Sequence, residues 1–596
     1  MRKIFPLVLA LAANTVSAQT PHDQLGRIME DHWAWYLSTH PLEATARGVR
    51  SFDDRIGDLS LAARDAQIKA AKVFATRLEA LPSSALDPAD RVNRDVLLWM
   101  LRDDIDADRH QAERLMLFTS YYGWHQGFSG MADGLPFYNR ADYESYLTRL
   151  ALYPRMNGDA LAITRQAIKG GYTQPCSVLQ NYAPTISGIV ADQPEDTRFY
   201  EPFKRAKPRD ISDADWTAMQ ARAVTVIRDL LTPEYRKWHD LFVTDYLPRC
   251  RKSDSAATLP GGAEWYASRV KAHTTTDLTP DQIHRIGIDE VARIGKRMDE
   301  IAAKAGYPGR AAYVRHLRTD PSYYARTPEE LLRVAARQAK AIDGLLPRYF
   351  GTLPRLPYGL KAIPAAEAEG TTTAYYGPGA PESGISGTYW VNTSKLDQRP
   401  FWELPALTAH EAVPGHHNQI ALQQELPLPP FRKYLAGFTA YVEGWALYTE
   451  YLGEEMGLYD TPEKMMGRLS DEMWRACRLV VDTGIHAKGW DKARAVAFMR
   501  RNSALSDANI DAEVNRYISW PGQALGYKLG EIRIRELRAK AEAALGPRFD
   551  LRRFHDAVLA QGAVPLTVLQ SQIDGWIAAE QAGQPTVGDR GPIQPR

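Results

Sequence analysis

Apolar residues recur every three to five positions along most of the chain, the spacing that lines them up on one face of a helix. A clear start lies at Thr279-Pro280-Asp281-Gln282, with Thr279 placed to cap, Pro280 at the first helical position and Gln282 completing a capping box. Ile283, Ile286, Val291, Ile294, Met298 and Ile301 then form one stripe. The same periodicity predicts helices over residues 23–39, 61–80, 91–118, 141–168, 212–245, 327–345, 431–457, 464–487, 491–502, 523–545 and 564–581. The pattern changes over residues 370–395, where Thr, Tyr, Trp and Val sit between Gly and Pro, a strand and hairpin signature. The expected fold is mainly α, with a short β-ribbon beside the helix that carries the chemistry. There is no internal repeat and no low-complexity tract.

The chain has 596 residues, 44% of them hydrophobic, enough for a large enzyme with a deep core. Lys and Arg number 73 against 72 Asp and Glu, so no net field recruits nucleic acid or an acidic membrane surface. Met1-Arg2-Lys3, the apolar run Ile4 to Ala13 and the small residues before Gln19 form a secretory signal, with cleavage expected after Ala18. Its apolar run is too short to span hydrocarbon, no Cys follows the cut to carry a lipid, and no later stretch is apolar enough to cross a membrane. A periplasmic or secreted protein is expected. One helical catalytic domain would cover residues 19–582, divisible into lobes near 19–275 and 276–582, with a loose tail over 583–596. Export permits a disulfide, and Cys176 and Cys250, both in Pro-containing loops, can pair; Cys477 reads as a buried thiol in a helix.

The chemistry concentrates in Thr408-Ala409-His410-Glu411-Ala412-Val413-Pro414-Gly415-His416-His417, with three of the 14 histidines in eight residues. A His-Glu pair followed closely by His is how zinc hydrolases set two imidazoles on the metal beside a carboxylate that takes a proton from water. The usual second His comes four residues after the first, and here that position is Pro414. On a straight helix a residue seven further on nearly eclipses the first, while one six further on sits about 240° round. A straight helix therefore favours His417. Pro414 should break the helix, and Gly415 permits an unusual turn, which can bring His416 back instead. A third ligand is needed, and Glu443 and Glu450, seven apart on one face of an aromatic-rich helix, are the candidates.

Together with Ala374-Tyr375-Tyr376-Gly377-Pro378, Tyr389-Trp390-Val391-Asn392, Glu443-Gly444-Trp445-Ala446-Leu447-Tyr448, Asp482-Thr483-Gly484-Ile485-His486 and Pro521-Gly522-Gln523-Ala524-Leu525-Gly526-Tyr527-Lys528, this segment resembles the DUF885 family. Upstream, His40-Pro41-Leu42-Glu43-Ala44-Thr45 and Leu278-Thr279-Pro280-Asp281-Gln282-Ile283-His284 also match, so the likeness spans roughly residues 23–580. The family consists of large bacterial proteins taken to be zinc metallopeptidases, with the pattern His-Glu-x-x-Pro-Gly-His. The resemblance implies His416 rather than His417 as ligand, and a helical, zincin-like fold with a central cleft.

Downstream residues supply candidate supporting roles. Asp482 and His486, four apart on a helix, can pair, and an imidazole oriented by Asp482 could stabilise an oxyanion. Tyr527, Arg516 and Lys528 are candidate donors to an oxyanion or to a substrate carboxylate. Tyr389 and Asn392 mark a strand that could take an extended peptide by edge addition. The expected protein is thus a Zn2+-dependent hydrolase acting on short peptides, with His410, His416 and Glu443 as ligands and Glu411 as base. Cobalt, manganese or iron would suit the same donors. A hydrolase of non-peptide amides or esters and a non-catalytic peptide- or metal-binding protein are the other expectations.

Overall fold

The computed structural model describes residues 20–364, 368, 372–381 and 384–584. The expected signal peptide and all but the first two residues of the expected tail lie outside these. Three helices open the described chain, α1 (Pro21–Thr39), α2 (Leu61–Glu79) and α3 (Pro88–Ala107), each capped by a side chain (Thr20, Ser60 and Asp87) that accepts from the third backbone N–H onward. After an aromatic-rich segment of short helices come α4 (Gly262–Thr274) and α5 (Pro280–Lys304), the latter with the expected Thr279–Gln282 capping box. The expected helix over 431–457 is divided at Leu435–Phe438, and helix α4 fell outside the periodic stretches.

Between α5 and the active segment lie β1 (Tyr358–Ala362), β2 (Ala374–Gly377) and β3 (Gly387–Val391). Their order is β1-β3-β2, with β1 parallel and β2 antiparallel to β3. The ribbon is therefore a three-stranded sheet. Strand β3 is its middle strand, so Tyr389 has no free edge to offer a peptide; the edge toward the active segment belongs to β2. Tyr389 is fully buried with its hydroxyl 3.4 Å from Thr408 Oγ1. Asn392 just beyond is equally buried, donating to the Ala368 and Thr372 carbonyls and accepting from Ser394. Tyr389 packs against α6 and Asn392 ties down the loop, so neither faces a substrate.

The C-terminal half supplies α6 (Leu404–Glu411), α7 (His416–Glu425), α8 (Thr439–Glu455), α9 (Pro462–Lys488), α10 (Asp507–Ser519), α11 (Gly526–Leu545) and α12 (Leu566–Gln581). Helix α5 runs along α9, and α8 along α11. Contact at the second crossing is backbone to backbone: a Cβ on Gly444 would lie 2.5 Å from the Gly530 Cα, and one on Gly530 would strike the Ala440 carbonyl. Two main cores result. One joins α1–α3 to α8, α11 and α12; the other joins the aromatic segment around Trp238 to α5, α9 and α10. Each draws on both sides of residue 275, so the chain does not divide into cores at 275/276.

Helices α5, α9 and α11 also share a buried ionic network. Lys528 Nζ lies 2.8 Å from Glu472, 2.8 Å from Glu531 and 3.0 Å from Glu290, and Arg293 and Arg468 also pair with Glu472. Lys528 is wholly buried there, which removes it from substrate binding. His486 and Asp482 are corrected likewise. The His486 Nδ1 accepts the Ala256 N–H at 3.0 Å and Nε2 donates to the Tyr517 carbonyl at 2.9 Å. Asp482 accepts the Tyr266 hydroxyl at 2.7 Å and the Gly522 N–H at 3.1 Å. These residues do not pair with each other; they fasten loops to α9, and neither reaches an open site.

Cys176 and Cys250 form a disulfide closing 74 positions of sequence, and Cys477 is buried and free. Replacing both bridged cysteines by Ser should lower unfolding stability by about 2–4 kcal/mol, read from urea melts with and without reductant. Equal stability in both forms would show that the crosslink constrains nothing. Burial takes His486 from its ordinary 6.5 down to about 3. The native imidazole stays neutral while the unfolded one protonates below pH 6.5, so this histidine's contribution is intact above 6.5 and lost as pH falls. The stability cost of His486→Gln should accordingly shrink by about 1.4 kcal/mol between pH 7.5 and 5.5. A cost independent of pH would contradict this.

Candidate metal centre

Helix α6 ends at Glu411 and α7 begins at His416. Between them Pro414, in a cis peptide with Val413, has no N–H to continue the ladder. The chain re-enters a helix with the His417 N–H on the Ala412 carbonyl at 3.0 Å and the Gln419 N–H on the Gly415 carbonyl at 3.1 Å. Gly415 has φ of −75° and ψ of −126°, the latter outside the helical and extended ranges. It is required because a Cβ there would strike the His410 and Ala409 carbonyl oxygens. Helix α8 takes up the carbonyls that the break releases. The Trp445 indole N–H donates to the Pro414 carbonyl at 3.0 Å, and the Thr449 hydroxyl to that of Ala409 at 3.0 Å.

This turn brings His416 back beside His410, with ring centroids 4.8 Å apart and planes at 89°. Glu443 Oε2 lies 3.6 Å from His410 Nε2 and 3.4 Å from His416 Nε2. One donor atom from each of the three residues falls within 4.8 Å of the others. His417 points away: its Nδ1 is 3.0 Å from the Tyr376 hydroxyl, its ring packs 4.6 Å from that of Tyr358, and burial carries its pKa down to about 4. Glu450 is not a third ligand either. It is buried against the other nitrogen of His410, 2.7 Å from Nδ1, which holds a ring proton there and turns Nε2 toward Glu443. This is how carboxylates orient metal-binding imidazoles.

Electrostatics hold the cluster ready. Burial opposes a charge on His410, but Glu443, Glu450 and Glu411 outweigh it and carry its pKa up to about 9. Burial likewise opposes ionisation of Glu443, and the two imidazoles overcome it, holding that carboxylate well below its ordinary range. Two imidazole nitrogens and a carboxylate oxygen, with an imidazole already fixed by Glu450, fit a divalent cation such as zinc. Glu411 is nearly buried and shares with the cluster the lining of a cavity of about 870 Å³.

Of the other expected residues, Tyr527 and Arg516 line this cavity, whereas Tyr389, Asn392, Asp482, His486 and Lys528 do not. Tyr375 and Tyr376 of edge strand β2, with Arg475 and Arg478 of α9, line it too and were not anticipated. A signal for the arginines was present. Arg468, Glu472, Arg475 and Arg478 recur at helical spacing along a helix otherwise rich in apolar residues, and all four are buried.

Comparison with known proteins supports the architecture. A solved structure from Colwellia psychrerythraea, described as a "putative lipoprotein", matches with a TM-score of 0.88 and 26% identity, covering 94% of this chain and 100% of that one. Another from Shewanella oneidensis, a "putative lipoprotein of unknown function", has a TM-score of 0.71 and 19% identity, covering 93% and 99%, and shares the fold. No curated protein matches significantly. The family model described as "Bacterial protein of unknown function (DUF885)" matches residues 41–573, and the chain belongs to that family.

Proposed function

We propose that this chain is an exported zinc-dependent hydrolase that cleaves short peptides. One observation carries the reading: His410, His416 and Glu443 converge within 4.8 Å on the cavity that Glu411 also lines. A bound divalent ion supplies Lewis acidity toward a carbonyl oxygen and acidifies water. The chain's own residues do the rest. Glu450 fixes the His410 tautomer at Nδ1. Glu411 takes the proton of the attacking water and returns it to the leaving nitrogen. Tyr527, in the cavity wall, would donate to the oxyanion. Strand β2, whose Tyr375 and Tyr376 line the cavity, is where an extended peptide would lie.

Export is supported by the description of both structural neighbours as lipoproteins. No helix among the described residues is long and apolar enough to cross a membrane. The substrate class excludes nucleic acid on the neutral charge balance.

Elemental mass spectrometry on the chain from residue 19 onward tests the centre. One zinc per chain is expected, lost in His410→Ala and His416→Ala and kept in His417→Ala. Glu411→Gln should keep the metal and lose about 10²–10⁴-fold in peptide turnover. A chain that takes up no metal when zinc is supplied, or a fully active Glu411→Gln, would overturn the reading.

A further inference from the structure

Part of the cavity wall has a charge surplus that the hydrolytic centre does not use. Arg478 is 2% exposed, with its guanidinium carbon 4.5 Å from the Trp474 ring centroid and 4.2 Å from that of Tyr527. Its Nε donates to the Tyr517 hydroxyl at 2.9 Å and its Nη2 to Glu513 Oε2 at 3.0 Å, while Nη1 has no partner among the described residues. Arg516 donates from Nη2 to the same Glu513 oxygen at 3.1 Å and from Nη1 to Gln523 at 3.3 Å, and its Nε is unpartnered. The Tyr517 hydroxyl adds a third donor to that oxygen at 2.7 Å.

Two guanidinium groups thus share one carboxylate. Of the neighbouring acids, Asp511 pairs with Lys492 at 2.7 Å, and Asp471 and Glu450 share Arg475 at 2.8 and 3.7 Å. Buried cations that share one counter-ion are costly, and guanidinium groups lining a cavity suit a planar anion.

We propose that Arg478 and Arg516 seat the free C-terminal carboxylate of a peptide whose nearby carbonyl lies at the His410–His416–Glu443 centre, so that the enzyme trims peptides from their C-terminal end. This rests on the hydrolase reading and adds substrate class and polarity to it. A cavity of about 870 Å³ accommodates a chain end of a few residues, consistent with that placement. Both arginines act by binding, not in the proton transfers.

The test is calorimetric binding to the zinc-loaded Glu411→Gln chain, using tri-alanine as the free acid, as the C-terminal amide and as the N-acetylated acid. The amide should bind about tenfold or more weakly than the acid. N-acetylation should change little. Adding Arg516→Gln should erase the preference for the acid with an unchanged melting temperature, and Arg516→Lys should keep part of it. Equal binding of acid and amide, or binding of neither at millimolar concentration, would overturn the proposal. So would an amidated peptide with a Glu side chain binding as tightly as the free acid, which would make the site one for acidic side chains. Turnover by the wild type separates the two readings. Cleavage of acid and amide alike leaves the hydrolase and removes the carboxylate seat, whereas acid-selective binding with no peptide cleaved does the reverse.

Discussion

The bond from the Trp445 indole to the Pro414 carbonyl, 3.0 Å long, is the contact on which the candidate centre depends. Breaking a helix inside a protein strands carbonyl oxygens, and each one left unpaired costs about 1–3 kcal/mol. Here α8 meets that need with Trp445 and Thr449, while Glu443 and Glu450 of the same helix bracket the two nitrogens of His410. The helix that tolerates the break is also the helix that completes the cluster. Its depth is set in turn by Gly444 against Gly530, where neither chain has room for a Cβ. A shift of α8 would therefore unseat the turn and two carboxylates together, which ties the geometry of the site to helix packing on its far side.

Helix α9 is the electrostatic counterpart. Arg468, Glu472, Arg475 and Arg478 follow one another at three- and four-residue steps, so charges that a sequence reading assigns to solvent lie inside, with Asp471 half-buried beside them. Glu472 anchors the Lys528 network, and Arg475 lies between Asp471 and Glu450, 3.7 Å from the carboxylate that orients His410. Burial leaves some of these acids reluctant to ionise: Asp471 is pushed up to about 6, and Glu403 near it to about 8. Such networks are poor sources of net stability, since removing charges from water offsets much of their attraction. Their use here is positional: each charged group accepts only one arrangement of its neighbours.

The same contrast explains what the sequence could and could not convey. His410 and Glu411 were legible as candidates because metal chemistry sets those residue types side by side, and Glu443 only as one of two acids on a following helix. The choice between His416 and His417 was not, because it turns on a four-residue break whose direction is set by Trp445 and Thr449, 31 and 40 residues away from the carbonyls they meet. Capped amphipathic helices such as α5 were readable from local pattern alone. Strand β1 was missed because prolines crowd both its flanks, and β3 was taken for an edge because strand order is a tertiary property. Lys528, Asp482 and His486 misled for one reason. Polar residues near a motif look alike in sequence whether they face a cavity or fasten the fold, and only the partners distinguish the cases.

The two classes of cavity residue have separate roots. Helix α6 and helix α8, which carry His410, Glu411 and Glu443, anchor in one core through Ala406, Ala409, Trp445 and Tyr448. The arginines of α9 and α10 stand beside Trp474, Val514 and Tyr517 of the other. The cavity is therefore bounded by two packed bodies, and the spacing between the candidate metal centre on one and a cation pair on the other is decided where α6 meets α9. At that junction a Cβ on Gly467 of α9 would strike the Trp402 carbonyl, just before α6 begins, so the helices are as close as backbone allows. Under the proposed reading a fixed distance of this kind would act as a ruler, selecting among peptides by where the chain ends, which side-chain pockets alone do not do.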